Sequence, residues 1–263
     1  MDVGLNGKVA LITGGSEGIG KAAAKSMAAE GAKVVICARR PDVLESAADE
    51  IRAATGGEVL AVSADVSVPA QLESLFEGII AAHDRIDILV NNAGTSAAGY
   101  FEEVSDEDWR TDLDIKLFAA IRCSRMAIPH MRAQGGGRII NVTNLGGKAP
   151  GPRSVPTSVS RAAGIALTKA LSKDYAADNI LVNTVCIGLI KSGQHETAWK
   201  RGLAENPGQS LDHWYAQKGH GVPLGRVGEA HEAGDIIAFL ASDRASYITG
   251  VAINIDGGTS TVV

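Results

Sequence analysis

Short runs of β-branched and aliphatic residues alternate with helix-forming stretches along most of this chain. The series opens KVALIT, GKAAAKSMAAEG, KVVICA, DVLESAADEIRAAT, EVLAVSA, AQLESLFEGIIAAH and IDILVNN. The apolar runs are too continuous for a sheet with one wet face, so both faces need covering, and the stretches between them suit the crossover helices that parallel strands require. The pattern therefore predicts βαβ units, an α/β fold whose doubly wound parallel sheet carries helices on both faces. With 263 residues, 45% of them hydrophobic, the chain can bury one large core, and residues 1–263 read as a single domain.

Further along, a long helix is expected from about Asp106 to Gln134, then a strand GRIINVT, a helix from about Val155 to Asp178, a strand ILVNTVCI and a last strand VAINID. Between Gly188 and Gly228 the rhythm breaks into a segment rich in Gly, His, Trp and Lys, with short candidate helices near Glu196 and Leu211. So long an interruption in a compact domain is expected to be a lid or binding loop, or else disordered.

Several classes of function are argued against. The net charge is −5 and the basic residues are scattered, which is not the footprint of a nucleic-acid binder. No segment approaches the roughly 18 uninterrupted apolar residues of a membrane span, and MDVGLNGKVALITGG has no leader pattern. A cytoplasmic protein without membrane partners is expected. Cys37, Cys123 and Cys186 have neither paired nor metal-type spacing, so free packed thiols and no metal site are expected.

The first strand runs straight into TGGSEGIG, Thr13 to Gly20, and then into an alanine-rich helix. Glycines at 14, 18 and 20 let the backbone turn tightly and approach a pyrophosphate, which the amide-rich start of the helix attracts. The same cluster also suits a tight turn with no ligand. At the end of the second strand, VVICARRPD, Cys37 and Ala38 offer no carboxylate for ribose hydroxyls, whereas Arg39 and Arg40 offer guanidiniums suited to a 2′-phosphate. That favours NADP(H), with NAD(H) as the alternative. Against it stand a reading of both arginines as a solvated helix start and the negative charge of Glu17.

The segments TGGSEGIG, ADV at Ala64 to Val66, NNAG at Asn91 to Gly94, GRIINV at Gly137 to Val142, VNTVCIG at Val182 to Gly188 and PLGRVGEAHEAGDIIAFLASDRASYITGVAINIDGG resemble the short-chain dehydrogenase/reductase family over essentially the whole length. The resemblance implies a Rossmann-type fold of about seven parallel strands, a nicotinamide cofactor, and a homo-oligomer, either tetramer or dimer. It also implies cofactor-binding roles for Gly14, Ser16, Glu17, Gly18, Ile19 and Gly20 at the turn, Arg39 at the adenine ribose, and Asp65 and Val66 at the adenine. Asn92, Ala93 and Gly94 are implied along the dinucleotide, Arg161 at the nicotinamide ribose, and Ile190 and Ser192 at the carboxamide, although Ile187 stands where a proline is usual.

Members of that family work with an asparagine, a serine, a tyrosine and a lysine. The resemblance puts Lys116, Asn144, Thr157 and Arg161 at those four positions. Tyrosine, titrating near about 10, is a usable acid for a carbonyl becoming an alcohol, and an aliphatic hydroxyl is not. Thr157 can still donate a hydrogen bond or pass a proton along. Arg161, one helical turn on, can hold the ribose and supply positive field but no proton. Asn144 can donate to an oxyanion. Lys116 adds an ammonium whose pKa should fall if it is desolvated beside Arg161, towards that of a working acid. Three readings of Lys116 stay open: proton donor, directly or through water and Thr157; partner of Asp112 at i−4 with no chemistry; or, with Arg161, attractor of an anionic substrate group. His195, Trp199, His213, Trp214 and Tyr215 in the 188–228 segment, with Tyr100 and Phe101, are candidate pocket walls for a small-molecule substrate, and Cys186 reads as strand packing.

Two functions compete. One is an NADP(H)-dependent oxidoreductase acting on a carbonyl or alcohol with an altered proton relay. The other is a catalytically silent relative that binds dinucleotide as a sensor or structural partner. Non-redox chemistry on the same fold ranks last, because the glycine turn is intact.

Overall fold

A computed structural model describes residues 3–204 and 206–263. Strands β1 (Val9–Thr13), β2 (Lys33–Ala38), β3 (Val59–Ser63), β4 (Ile88–Asn91), β5 (Gly137–Asn144), β6 (Ile180–Ile187) and β7 (Ala252–Ile255) form one sheet in the order β3-β2-β1-β4-β5-β6-β7. Every pairing is parallel. The side chains of β1 and β2 divide between two cores with the period of two that a pleated strand imposes. Ala10 and Ile12 of β1 and Val34 and Ile36 of β2 face a core shared with α1 (Gly18–Ala29), α2 (Pro41–Thr55) and α9 (Ala230–Ala241). Val9, Leu11, Val35 and Cys37 face the other, shared with α3 (Pro69–His83) and α5 (Ala119–Ala133).

The central strands also carry a buried polar ladder. Asn91 donates to Asn141 at 2.9 Å, Asn141 donates to Thr168 at 2.8 Å, and the hydroxyls of Thr168 and Thr184 lie 2.6 Å apart. It joins β4, β5 and β6 to α6 (Thr157–Asp174) with its polar groups partnered, as buried polar atoms require.

The expected long helix is two helices. It starts as α4 (Asp106–Leu113) from a capping box in which Ser105 and Asp108 bond reciprocally, passes through a π turn over Asp114–Phe118, and continues as α5. The wider π turn carries Lys116 inward, and such turns gather at functional sites. Helix α6 begins two residues later than expected, at Thr157 after Pro156, and ends at Asp174, with a separate 3₁₀ turn over Ala176–Asp178. The 188–228 segment holds α7 (Gly193–Gly202) and α8 (Leu211–Gly219).

Because β2 and β4 lie on opposite sides of β1, the chain leaving the sheet after β1 and after β4 diverges and opens a crevice at the carboxyl ends of the strands.

Candidate active site

That crevice is a cavity of about 730 Å³. Gly14, Ser16, Glu17, Gly18, Ile19, Arg39, Asp65, Val66, Asn92, Ala93, Gly94, Asn144, Thr157, Arg161, Ile190 and Ser192 all line it. Gly20 and Lys116 sit behind its wall. Gly14 has φ +66°, a left-handed conformation natural to glycine, and a Cβ at Gly20 would overlap the Gly14 carbonyl and lie 2.5 Å from Asn92 Nδ2. Asn92 Nδ2 donates to the carbonyls of Thr13 and Gly14 at 3.0 Å each. The hydroxyl of Thr13 accepts from the backbone amides of Asn92 and Ala93 at 3.0 and 3.1 Å. Asn92 therefore lines the cleft while its amide group staples the end of β4 to the glycine turn.

At the end of the cavity beside β2, Arg40 Nη2 donates to Glu17 Oε2 at 2.8 Å. Arg39 makes no ion pair among the described residues, and its charge acts on Asp65. Burial pushes the Asp65 carboxyl up, but the hydroxyl and amide of Ser67, at 2.7 and 2.9 Å, together with Arg39, hold it below the usual range. Cys37, beneath the same end, is pushed up to about 12 by burial, so its thiol is inert.

At the opposite end, Lys116 Nζ donates to Asp112 Oδ1 and, at 2.9 Å, to the hydroxyl of Thr157. Thr157 Oγ1 also accepts from the amide of Ala97 at 3.0 Å and donates to Asp112 Oδ1 at 3.3 Å. Burial pulls the Lys116 ammonium down; the Asp112 hydrogen bond opposes this, the Arg161 charge adds to it, and the outcome is about 8. The i, i+4 pair and the fall in pKa are thus both present, on one side chain. Arg161 Nη1 donates to the Val142 carbonyl at 2.8 Å, and its Nη2 lies 2.9 Å from where a Cβ on Gly94 would stand. Desolvation lowers Arg161 to about 10, which leaves it charged near neutrality. Arg161 Nε and Asn144 Oδ1 are buried without hydrogen-bond partners in a structure that otherwise pairs such groups.

Two contributors escaped the sequence reading. Ser160 donates to Asp112 Oδ2 at 2.6 Å, and its position three residues after Thr157, on the same helical face, was the available signal. Gln194, in the first turn of α7, accepts from the Ser96 amide at 3.2 Å and donates to the Gly94 carbonyl at 3.3 Å, so it straps α7 across the mouth of the cleft. Nothing local in the sequence marks it.

Of the candidate pocket walls, His195 alone lines the cavity, with Trp214 and Tyr215 packed behind it at ring-centroid distances of 6.1 and 6.5 Å. Trp199 is committed to the Gln209 carbonyl at 2.8 Å, and His213 is exposed. Tyr100 and Phe101 are exposed outside the cavity, Tyr100 beneath the Arg153 guanidinium at 4.2 Å. Cys186 is buried 3.3 Å from the Thr143 hydroxyl. Among the described residues no three His, Cys, Asp or Glu side chains converge as metal ligands, and no helix is long and apolar enough to cross a membrane.

Residues 14–260 match the family model described as Enoyl-(Acyl carrier protein) reductase. The chain is 35% identical over 257 residues to oxidoreductase UcpA of Escherichia coli O157:H7, covering 97% of this chain and 95% of that protein. L-sorbose reductase from Gluconobacter frateurii, solved with NADPH and L-sorbose, superposes with TM-score 0.95 at 35% identity, each chain covered fully. An NADPH-bound short-chain oxidoreductase from Pseudomonas aeruginosa PAO1, with an atypical catalytic centre, superposes with TM-score 0.89 at 34% identity, over 97% of this chain and 98% of that one. The seven-stranded parallel sheet, the glycine turn at its switch point and these relatives agree: the chain belongs to the short-chain dehydrogenase/reductase family.

Proposed function

We propose that this chain is an NADP(H)-dependent oxidoreductase that interconverts a carbonyl and an alcohol on a small molecule, with Lys116 supplying the proton through the hydroxyl of Thr157. The residues of the cleft fit a dinucleotide. The amino end of α1 has no side-chain cap and no acid in its first turn, Gly14 and Gly20 leave no room for a Cβ, and Arg161 Nε is buried without a partner. Arg39 and Arg40 at the end of β2, and the NADPH in both solved relatives, support NADP(H) over NAD(H). Bound there, the nicotinamide supplies or accepts the hydride.

The carrying observation is the order of the groups. Thr157 lines the cavity and Lys116 stands directly behind it, 2.9 Å away, out of reach of a substrate. The Thr157 oxygen accepts from Ala97 N and from Lys116 Nζ and donates its hydrogen to Asp112 Oδ1 at 3.3 Å, a long bond that the hydroxyl leaves by turning toward a substrate oxygen in the cavity. In carbonyl reduction, the substrate oxygen takes the Thr157 proton as Thr157 takes one from the Lys116 ammonium. Transfer in concert spares the threonine a full negative charge, and between turnovers the buried amine is recharged through the Thr157 hydroxyl, which lines the cavity, from water that enters the emptied cleft. Asn144 donates its amide hydrogens to the developing oxyanion. Arg161 holds the ribose and adds positive field. Since Asp112 neutralises Lys116, Arg161 is the member of that pair left to attract an anionic group on a substrate. Residues 188–228 serve as the substrate loop. The protein works as a homo-oligomer, with Phe118 and Val159, both about half exposed, among the apolar surface to be covered, and sedimentation velocity tests this.

The test is to follow NADPH oxidation over ketones, keto sugars and acyl thioesters in the wild type and in Thr157→Val. Loss of the relay hydroxyl is expected to lower kcat about 100- to 10,000-fold, the usual value of a positioned acid, with NADPH affinity unchanged. An unchanged kcat refutes the relay. Tight NADPH binding with no turnover of any substrate refutes the enzyme and leaves a silent dinucleotide-binding protein.

A further inference from the structure

Beneath the Thr157 side of the cleft, two helices and the π turn bring four polar side chains into one buried cluster. Asp112 comes from α4, Lys116 from the π turn, and Thr157 and Ser160 from the first turn of α6. The side chains of Asp112 and Lys116 are 1% and 2% exposed, so carboxylate and ammonium have both left water. Oδ1 of Asp112 faces Lys116 Nζ and the Thr157 hydroxyl, and Oδ2 accepts from Ser160 Oγ at 2.6 Å. Ser160 Oγ also lies 3.0 Å from the Thr157 carbonyl, which ties the serine to the backbone of the residue that the cluster serves.

A buried ion pair is a poor device for stability alone, since apolar side chains of similar volume often do as well. This pair touches the wall of the cavity through Thr157, and both carboxylate oxygens are engaged. We infer that Asp112, held by Ser160, is a positioning residue that fixes the Lys116 ammonium against the Thr157 hydroxyl and sets the pH range in which that ammonium keeps its proton. The inference rests on the relay proposed above, and it adds the group that governs it.

The charged groups facing Lys116 are Asp112 from its own helix and Arg161 from α6; the remaining polar neighbour is the neutral hydroxyl of Thr157. Burial and Arg161 both favour the neutral amine, and Asp112 alone opposes them. Removing the Asp112 charge therefore lets the ammonium release its proton at lower pH. In the reducing direction the relay needs the ammonium, so activity falls as pH rises through about 8 in the wild type and at lower pH in Asp112→Asn. In the oxidising direction the relay needs the neutral amine, so the rising limb also moves to lower pH.

The experiment reads Lys116 directly and separately from turnover. Protein labelled with ¹³C at the lysine ε-carbon is titrated by NMR, the Lys116 signal being assigned by its loss in Lys116→Met. The midpoint is expected to fall by one pH unit or more in Asp112→Asn, a tenfold or greater loss of proton affinity, and by less in Ser160→Ala, which keeps the carboxylate but frees it. Asp112→Glu should recover part of the shift, as a purely packing role would not. An unmoved or raised midpoint in Asp112→Asn overturns the inference. If the midpoint falls while the pH–rate limb stays, Asp112 governs Lys116 but the relay through Thr157 is wrong. Should Asp112→Asn fold poorly, Ser160→Ala, which removes one neutral hydrogen bond, must still move midpoint and limb together or the inference fails.

Discussion

Glu17 and Arg40 share an ion pair at the β2 end of the cleft, and Arg39 beside them makes none among the described residues. Both partners of the pair are more than half exposed, so the contact is worth at most about 1 kcal/mol and yields readily to a better anion. Under the proposed cofactor assignment, a 2′-phosphate would meet Arg39 without an ion-pair partner and Arg40 only after it leaves Glu17. Arg39→Ala is expected to weaken NADPH binding about 10- to 100-fold, the worth of one charge-assisted contact, and NADH binding by less than about 2-fold. Glu17→Gln should tighten NADPH a few-fold and leave NADH unchanged. Calorimetric or fluorescence titration of both cofactors measures this, and equal losses for the two would remove Arg39 from phosphate recognition. The arginines were legible because they end a strand whose position in the βαβ unit is predictable. The pairing that sets them apart was not, since Glu17 and Arg40 meet only once α1 and β2 are packed. Lys116 shows the same limit. Its partner Asp112 is one turn away and readable as an i, i+4 pair, while Thr157, 41 positions on, is brought to it by tertiary structure.

Among elements, α7 is held over the cleft by one side chain. Gln194 bonds to the chain just after β4, on the far side of the cavity mouth, and Gly193 at the start of α7 stands over Glu17, its Cβ position 3.4 Å from Glu17 Oε2. A bound dinucleotide is then enclosed by a strap made of two neutral hydrogen bonds, each contributing about 0.5–1.5 kcal/mol. Gln194→Ala is expected to speed NADPH dissociation about 3- to 30-fold in stopped-flow fluorescence with little change in the association rate; an unchanged dissociation rate would show that α7 does not gate release. Helices α1 and α9 cross at Gly234. A Cβ at Gly234 would lie 2.7 Å from the carbonyl carbon of Ala22 and 2.8 Å from the amide nitrogen of Ala23. Alanine gains up to about 1 kcal/mol in a helix over glycine, but forcing two backbones apart costs about 1–3 kcal/mol, so Gly234→Ala should lower the denaturant midpoint. A raised midpoint would mean that the helices separate freely. The strands and most helices were legible from hydrophobic rhythm. The π turn was not, because Asp114–Phe118 is short and contains no Pro or Gly to mark a break in the helix.

For the whole molecule, the cleft is built from parts far apart in sequence. The glycine turn, the ends of β2 and β4, the start of α6 and the first turn of α7 share one cavity, and the unfolded chain has no such site. A cofactor that binds only the folded form stabilises it by RT ln(1 + [L]/Kd), about 2.7 kcal/mol at one hundred times Kd. For a domain of this size each kcal/mol raises the midpoint of thermal unfolding by roughly 2–4 °C, so saturating NADPH should raise Tm by about 5–10 °C. At equal concentration NADH should raise it less, and Arg39→Ala should narrow the gap between the two. Thr157→Val leaves the glycine turn and the adenine end untouched, so its NADPH shift should match that of the wild type even as turnover collapses. That combination separates the two halves of the cleft by experiment. A Thr157→Val protein that lost the shift would show that the hydroxyl supports the cofactor site itself, and its kinetic defect could no longer be read as the loss of a proton. With the shift kept and turnover gone, the defect lies in the chemistry, at the end of the cavity where Lys116 stands behind Thr157.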